Sequence, residues 1–229
     1  IEEGVKIVFT SAGNPKTWTS FLKEKGITVV HVVSSVKFAL KAELAGVDAV
    51  VCEGFEAGGH NGREETTTFT LIPMVKEQVK IPVIAAGGIG SGRGMLAAMV
   101  LGADGVQIGS RFAATEESSA HQNFKNTIIN VKDGDTQLTL KELAPVRLVK
   151  NKFYNEVQEL YKTKPTLEEL KELLGRARAK KGMFEGDLED GELEIGQIAG
   201  LIHEIKPAKT VLNEIIEEFN MVKSLINSI

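Results

Sequence analysis

The stretch Ala49-Val-Val-Cys52, running into Glu53-Gly-Phe-Glu-Ala-Gly-Gly-His60, decides the fold of this chain. A short apolar run ends at a carboxylate, loosens into glycines, and then presents one histidine. A continuous apolar run is the mark of a strand buried on both faces, as in parallel sheets, and barrel enzymes keep their chemistry where such strands end. Two more strand ends are rich in glycine: Ala85-Ala-Gly-Gly-Ile89 and Gln107-Ile-Gly-Ser-Arg111. Without side chains, such turns let backbone N–H groups approach a phosphate closely. Together the three loops point to a phosphorylated cofactor beside His60.

Outward from that stretch, short β-branched runs recur at 5–10, 27–33, 49–52, 83–86 and 105–109, separated by helical stretches. Two helix-to-strand joints share one pattern, Ala45-Gly-Val-Asp-Ala-Val50 and Leu101-Gly-Ala-Asp-Gly-Val106. In each, glycine ends the helix in a left-handed conformation and the next strand follows at once. The expected fold is α/β, a (β/α)8 TIM barrel of which this chain carries the last five strands. At ~30 residues per unit, three further units would take ~90 residues. The alternative is a smaller, open doubly wound sheet.

Three segments are expected: 1–111, the βα units of the barrel; 112–194, a helical insertion; and 195–229, helices returning to the barrel wall. Thr166 with Glu169 forms a capping box ahead of an apolar stripe. The acidic run 185–194 reads as a solvated loop. The helical pattern breaks at Pro207 and resumes as an amphipathic run to Ile229.

With 229 residues, 42% hydrophobic and 25% charged, the chain can bury a substantial core. A formal net charge of −4 argues against a nucleic-acid binder. Its longest apolar stretch, Met95 to Ala103, is too short to cross a bilayer. Cys52 is the only cysteine, so a reducing, cytoplasmic setting is expected. A homodimer is compatible with an exposed helical appendage, by analogy alone.

His60, after two glycines at a strand end, has few packing reasons to be there, and imidazole can take a proton from a carbon acid or give one to an enolate. His31, His121 and His203 read as structural or surface groups. Glu53 and Glu56 could orient His60, line the mouth or hold a cation through oxygen, and a catalytic role is expected of neither. Thr67 or Thr68 suits the N-cap of a helix. Arg93 could steer an anion or simply be a surface charge. No metal site is expected.

These motifs resemble those of the FMN-dependent nitronate monooxygenase family (2-nitropropane dioxygenase-like), which also contains the bacterial enoyl-acyl-carrier-protein reductases II. Arg176, Gly186-Asp-Leu-Glu189 and Gly196-Gln-Ile-Ala-Gly-Leu-Ile202 are similar to the reductase branch in particular. The resemblance implies that Gly87 and Gly88, with Gln107, Ile108, Gly109 and Ser110, hold FMN by its phosphate. It also implies that Gly58 and Gly59 lie against the flavin. Ser110 stands where relatives usually carry threonine, and keeps the hydroxyl.

The leading function so implied is an enoyl-acyl-carrier-protein reductase of fatty acid synthesis. NAD(P)H is its co-substrate, FMN passes hydride to the β-carbon, and catalytic His60 manages the proton at the α-carbon. An acyl-carrier-linked or small-molecule substrate is the expected partner. Nitronate oxidation with FMN and O2 is the second reading. A third is a non-redox, phosphate-binding barrel.

Overall fold

The computed structural model describes residues 1–226. Strands β1 (Ile7–Thr10), β2 (Thr28–Val33) and β3 (Ala49–Glu53) alternate with helices α1 (Thr19–Glu24) and α2 (Val36–Leu44). A two-residue strand β4 (Gly59–His60) precedes α3 (Thr68–Lys76), β5 (Val83–Ala86), α4 (Gly92–Val100) and β6 (Gly105–Gln107). Strands β1, β2, β3, β5 and β6 form one parallel sheet in that order, curled into half of a barrel. Chain order without a strand-order reversal is the topology of a barrel wall, and it displaces the doubly wound alternative.

Both sheet faces are covered, which is why the strands read as unbroken apolar runs. Val29, Val50, Cys52, Val83 and Ala85 face the helices. Val30, Ala49, Val51 and Ala86 line the opposite, inner face. The edge strand β1 leaves Phe9 50% exposed.

The repeated joints have matching geometry. Gly46 and Gly102 take φ of 84° and 105°, and each following aspartate ties its strand to the neighbour. The Asp48 N–H donates to Val29 O while Val29 N–H donates to Asp48 Oδ2, at 2.8 Å each. Asp104 exchanges the same pair with Val83, at 2.7 and 2.8 Å. Lys23 and Lys76 sit on these carboxylates at 2.6 Å, and the bonds hold both below the usual aspartate range against the opposing effect of desolvation.

After β6 come α5 (Ser110–Ala113), α6 (Gln122–Asn130), β7 (Thr136–Thr139) and β8 (Val146–Val149). Then follow α7 (Lys152–Tyr161), α8 (Leu167–Leu174), α9 (Arg178–Met183) and α10 (Ala208–Ile226). The expected helices are present, and α8 carries the Thr166–Glu169 capping box. To them the structure adds the antiparallel hairpin β7–β8, whose second strand pairs with β4. Helix α10 begins just after Pro207. The last three residues of its expected run, 227–229, lie outside the described residues.

Helix α10 packs on α4 closely enough to need a glycine. A Cβ on Gly92 would stand 2.3 Å from Phe219 N and 2.4 Å from Ile215 O. Glu218 of α10 caps α4 by accepting from Gly92 N at 2.7 Å and also holds Arg93. Arg93 is thereby a surface ion-pair partner. Among the described residues, no helix is long and apolar enough to cross a membrane.

Candidate active site

Beyond β3 the chain folds back over the sheet end, and a buried arginine secures it there. Arg147 of β8, 2% exposed, donates from Nε and Nη2 to Phe55 O at 3.1 and 2.9 Å, with its guanidinium 4.5 Å above the Phe55 ring. Pairing of Gly59 with Arg147 and of His60 with Val146 fixes the backbone that carries the imidazole. Gly54 is needed because a Cβ there would meet Thr68 Oγ1 at 2.1 Å.

Glu56 caps α3. Its carboxylate accepts from Thr68 N at 2.9 Å and Thr68 Oγ1 at 3.0 Å. Thr67 occupies the N-cap position without a side-chain bond to the helix backbone, so the acid does the work expected of a threonine. Thr68 Oγ1 also lies 2.9 Å from Gly87 O, which ties this helix end to the next glycine turn.

Gly87 and Gly88 have φ of 94° and 69°, in the left-handed region, and a Cβ on Gly87 would meet Gly54 O at 2.8 Å. Both line a cavity of about 260 Å³ together with Gly58, Gln107, Gly109 and Ser110. The structure thus brings together six of the residues singled out in the sequence. A Cβ on Gly109 would meet nothing within 4 Å, so that position opens onto free space. Gly59 and Ile108 do not line the cavity; Gly59 lies beneath Glu194, and Ile108 packs on the core between sheet and helices.

His60 stands in a neighbouring chamber of about 240 Å³, lined also by Ser11, His31, Ser34, Lys41 and Asn61. His60 and the glycine turns thus line two adjoining chambers. Glu53 borders both chambers. Burial pushes its carboxyl up to about 7, so near neutral pH it can hold or release a proton toward either side. His31 is 5% exposed, with Nδ1 2.7 Å from Thr10 Oγ1, and burial followed by the Lys41 charge lowers its pKa. The Cys52 thiol, raised to about 12 by burial, is an inert core group.

Two acids in the run read as solvated are in fact withdrawn from water. Glu192 is 7% exposed, and burial with the nearby Glu194 charge raises it to about 7. Glu194 lines the glycine-turn cavity; burial raises its pKa and the His60 charge opposes the rise. The segment behind it closes the cavity. Gly196 N donates to Ser110 Oγ at 3.1 Å, Gln197 N donates to Glu56 O at 3.0 Å, and a Cβ on Gly58 would collide with Ile195 C at 2.4 Å. The resemblance of this tail to one branch of a family was the only sequence signal that it belonged near the site.

Comparison with known proteins agrees with this architecture. A probable nitronate monooxygenase of Staphylococcus saprophyticus is 34% identical over 97% of this chain and 65% of its own length. A relative with the same description from Staphylococcus aureus is 37% identical over 88% of this chain and 59% of its own. The chain therefore spans roughly three-fifths to two-thirds of these relatives. Among solved structures, FabK from Thermotoga maritima superposes over the whole chain and 73% of its own, with a TM-score of 0.91 and 43% identity. Nitroalkane oxidase from Streptomyces ansochromogenes superposes over 98% of the chain and 67% of its own, with a TM-score of 0.79 and 27% identity. The sequence profile of the nitronate monooxygenase family matches residues 1–218, and the chain belongs to that family.

Proposed function

We propose that this chain is part of an FMN-dependent oxidoreductase that reduces the double bond of enoyl thioesters carried on acyl carrier protein, with NAD(P)H as electron source. The observation that carries this reading is the likeness to FabK, at 43% identity across the whole chain against 27% for nitroalkane oxidase. Proteins of this family and FabK are generally flavin enzymes.

The glycine turns suit a flavin phosphate. Gly88 and Gly109 bring bare backbone to one cavity, Ser110 adds a hydroxyl, and the first turn of α5 leaves its N–H groups without helical partners. When bound, FMN supplies hydride transfer. The chain's own residues do the rest. The turns anchor the phosphate end, Glu194 and Ile195 exclude water from the cavity, and His60 meets the substrate in the adjoining chamber. There His60 delivers a proton to the α-carbon as the enolate forms, and Glu53 between the chambers can resupply it.

An anaerobic experiment tests the reading. NADH or NADPH should bleach the flavin, and a crotonyl thioester should then reoxidise it quickly. The second reading, nitronate oxidation, is favoured by the family profile and the curated relatives. It becomes the function if nicotinamide leaves the flavin yellow while a nitronate drives oxygen uptake.

A further inference from the structure

A second surface adjoins the chamber of His60 and differs in charge from the rest of this acidic chain. Along the outer face of α2, Lys37 and Lys41 stand one turn apart, beside Leu40 and Leu44, also one turn apart. Lys16, just beyond β1, completes the rim of an open groove whose floor is Val36, Leu40 and Leu44. Its lining carries three lysines and no acid. Among the described residues none of the three is in an ion pair, whereas Lys23, Lys76, Lys141, Lys152 and Lys206 all are. Leu44 is 84% exposed, so apolar area lies open between the charges.

The groove adjoins the chamber. Lys41 borders both, and Phe38, on the same helix, lines the chamber while remaining 43% exposed. A partner seated on α2 would therefore stand at the entrance that leads to His60. Unpaired cations around an apolar floor complement a helix bearing carboxylates beside a few apolar side chains. Lys41, at the threshold, is placed to meet the phosphodiester of a pantetheine arm.

We propose that Lys16, Lys37 and Lys41, with the apolar strip of α2, form the docking surface for the acidic carrier protein that presents the enoyl thioester. This rests on the proposed reductase reading and adds the place and chemistry of the partner. The carrier lays an acidic helix along α2 and threads its thioester past Lys41 and Phe38 toward His60.

The test uses the flavin-loaded protein and the double variant Lys16→Glu/Lys37→Glu, which spares every residue lining the chamber. Two substrates are compared: crotonyl-acyl carrier protein, and the uncharged crotonyl-N-acetylcysteamine thioester. The variant should raise KM for the carrier-bound substrate by about tenfold or more and leave kcat/KM for the small thioester within about twofold. Added salt should weaken carrier binding to the wild type in the same direction. Equal effects on both substrates, or none on either, overturn the proposal. Should the wild type reduce neither thioester, the reductase reading fails separately. Interferometry with immobilised acyl carrier protein then decides, and absent binding, or binding untouched by the charge reversals, overturns the docking surface.

Discussion

The carboxylate of Glu194 rests on the α-carbon of Gly59, so that a Cβ built there would lie 2.9 Å from Oε2. This contact holds the acid between the glycine-turn cavity and the strand that carries His60. Gly59 has φ of 78°, which a side chain tolerates poorly. Gly59→Ala should cost about 1–2 kcal/mol through that backbone strain. The double variant Gly59→Ala/Glu194→Ala should recover only the smaller steric part, as read by a double-mutant cycle in urea. Full recovery would mean that φ at this position carries no strain.

On the proposed function, His60→Ala should lower kcat by about 10²- to 10⁴-fold while the protein stays yellow, because the glycine turns that would hold the phosphate line a different cavity from the imidazole. Turnover and bound-flavin absorbance on the same preparation check this. Unchanged turnover removes His60 from the chemistry.

Gly109→Leu should fold as well as the parent, since its Cβ meets no atom within 4 Å, yet its side chain would occupy the cavity. Flavin affinity should drop by at least about tenfold, roughly 1.4 kcal/mol, with little change in Tm. Fluorescence titration with FMN and a thermal melt report the two effects separately.

Glu192 gives a pH dependence with a definite sign. Its folded carboxyl titrates near 7, above its ordinary 4.5, so the native state binds the proton more tightly. Stability from this group is fully present below pH 4.5 and is lost as pH rises through 7, by about 3 kcal/mol. Glu192→Gln should flatten that slope and raise Tm at pH 8 by roughly 6–12 °C. Melts from pH 4 to 8 test it, and a variant that is less stable at pH 8 would contradict the assignment.

Gly92→Ala should cost about 1–3 kcal/mol, because the added methyl meets backbone of α10 that cannot swing aside. A urea midpoint unchanged from the parent would show that α10 does not press on α4 as described.

Those five positions also show what could be read from the chain beforehand. The βα units were legible because both faces of each strand are buried, which leaves an apolar run between two glycine joints. The turns at Gly87–Gly88 and Gln107–Ser110 were legible because glycines gather directly where apolar strands end. The hairpin β7–β8 was not, since Arg147 interrupts its apolar strand and finds its partner, Phe55 O, 92 residues away. Glu192 and Glu194 hid in the same way. An acidic run looks solvated unless one knows which distant surfaces fold over it.

One bond made by the tail has a directional consequence. Ser110 Oγ accepts a hydrogen bond from the Gly196 N–H on one lone pair, and a hydroxyl has only one hydrogen of its own. With that lone pair occupied by the main chain, the hydroxyl hydrogen can turn toward an oxygen in the cavity that Ser110 lines. Gly196 thus acts as a compass for the serine and sets the polarity of the alcohol before any guest arrives.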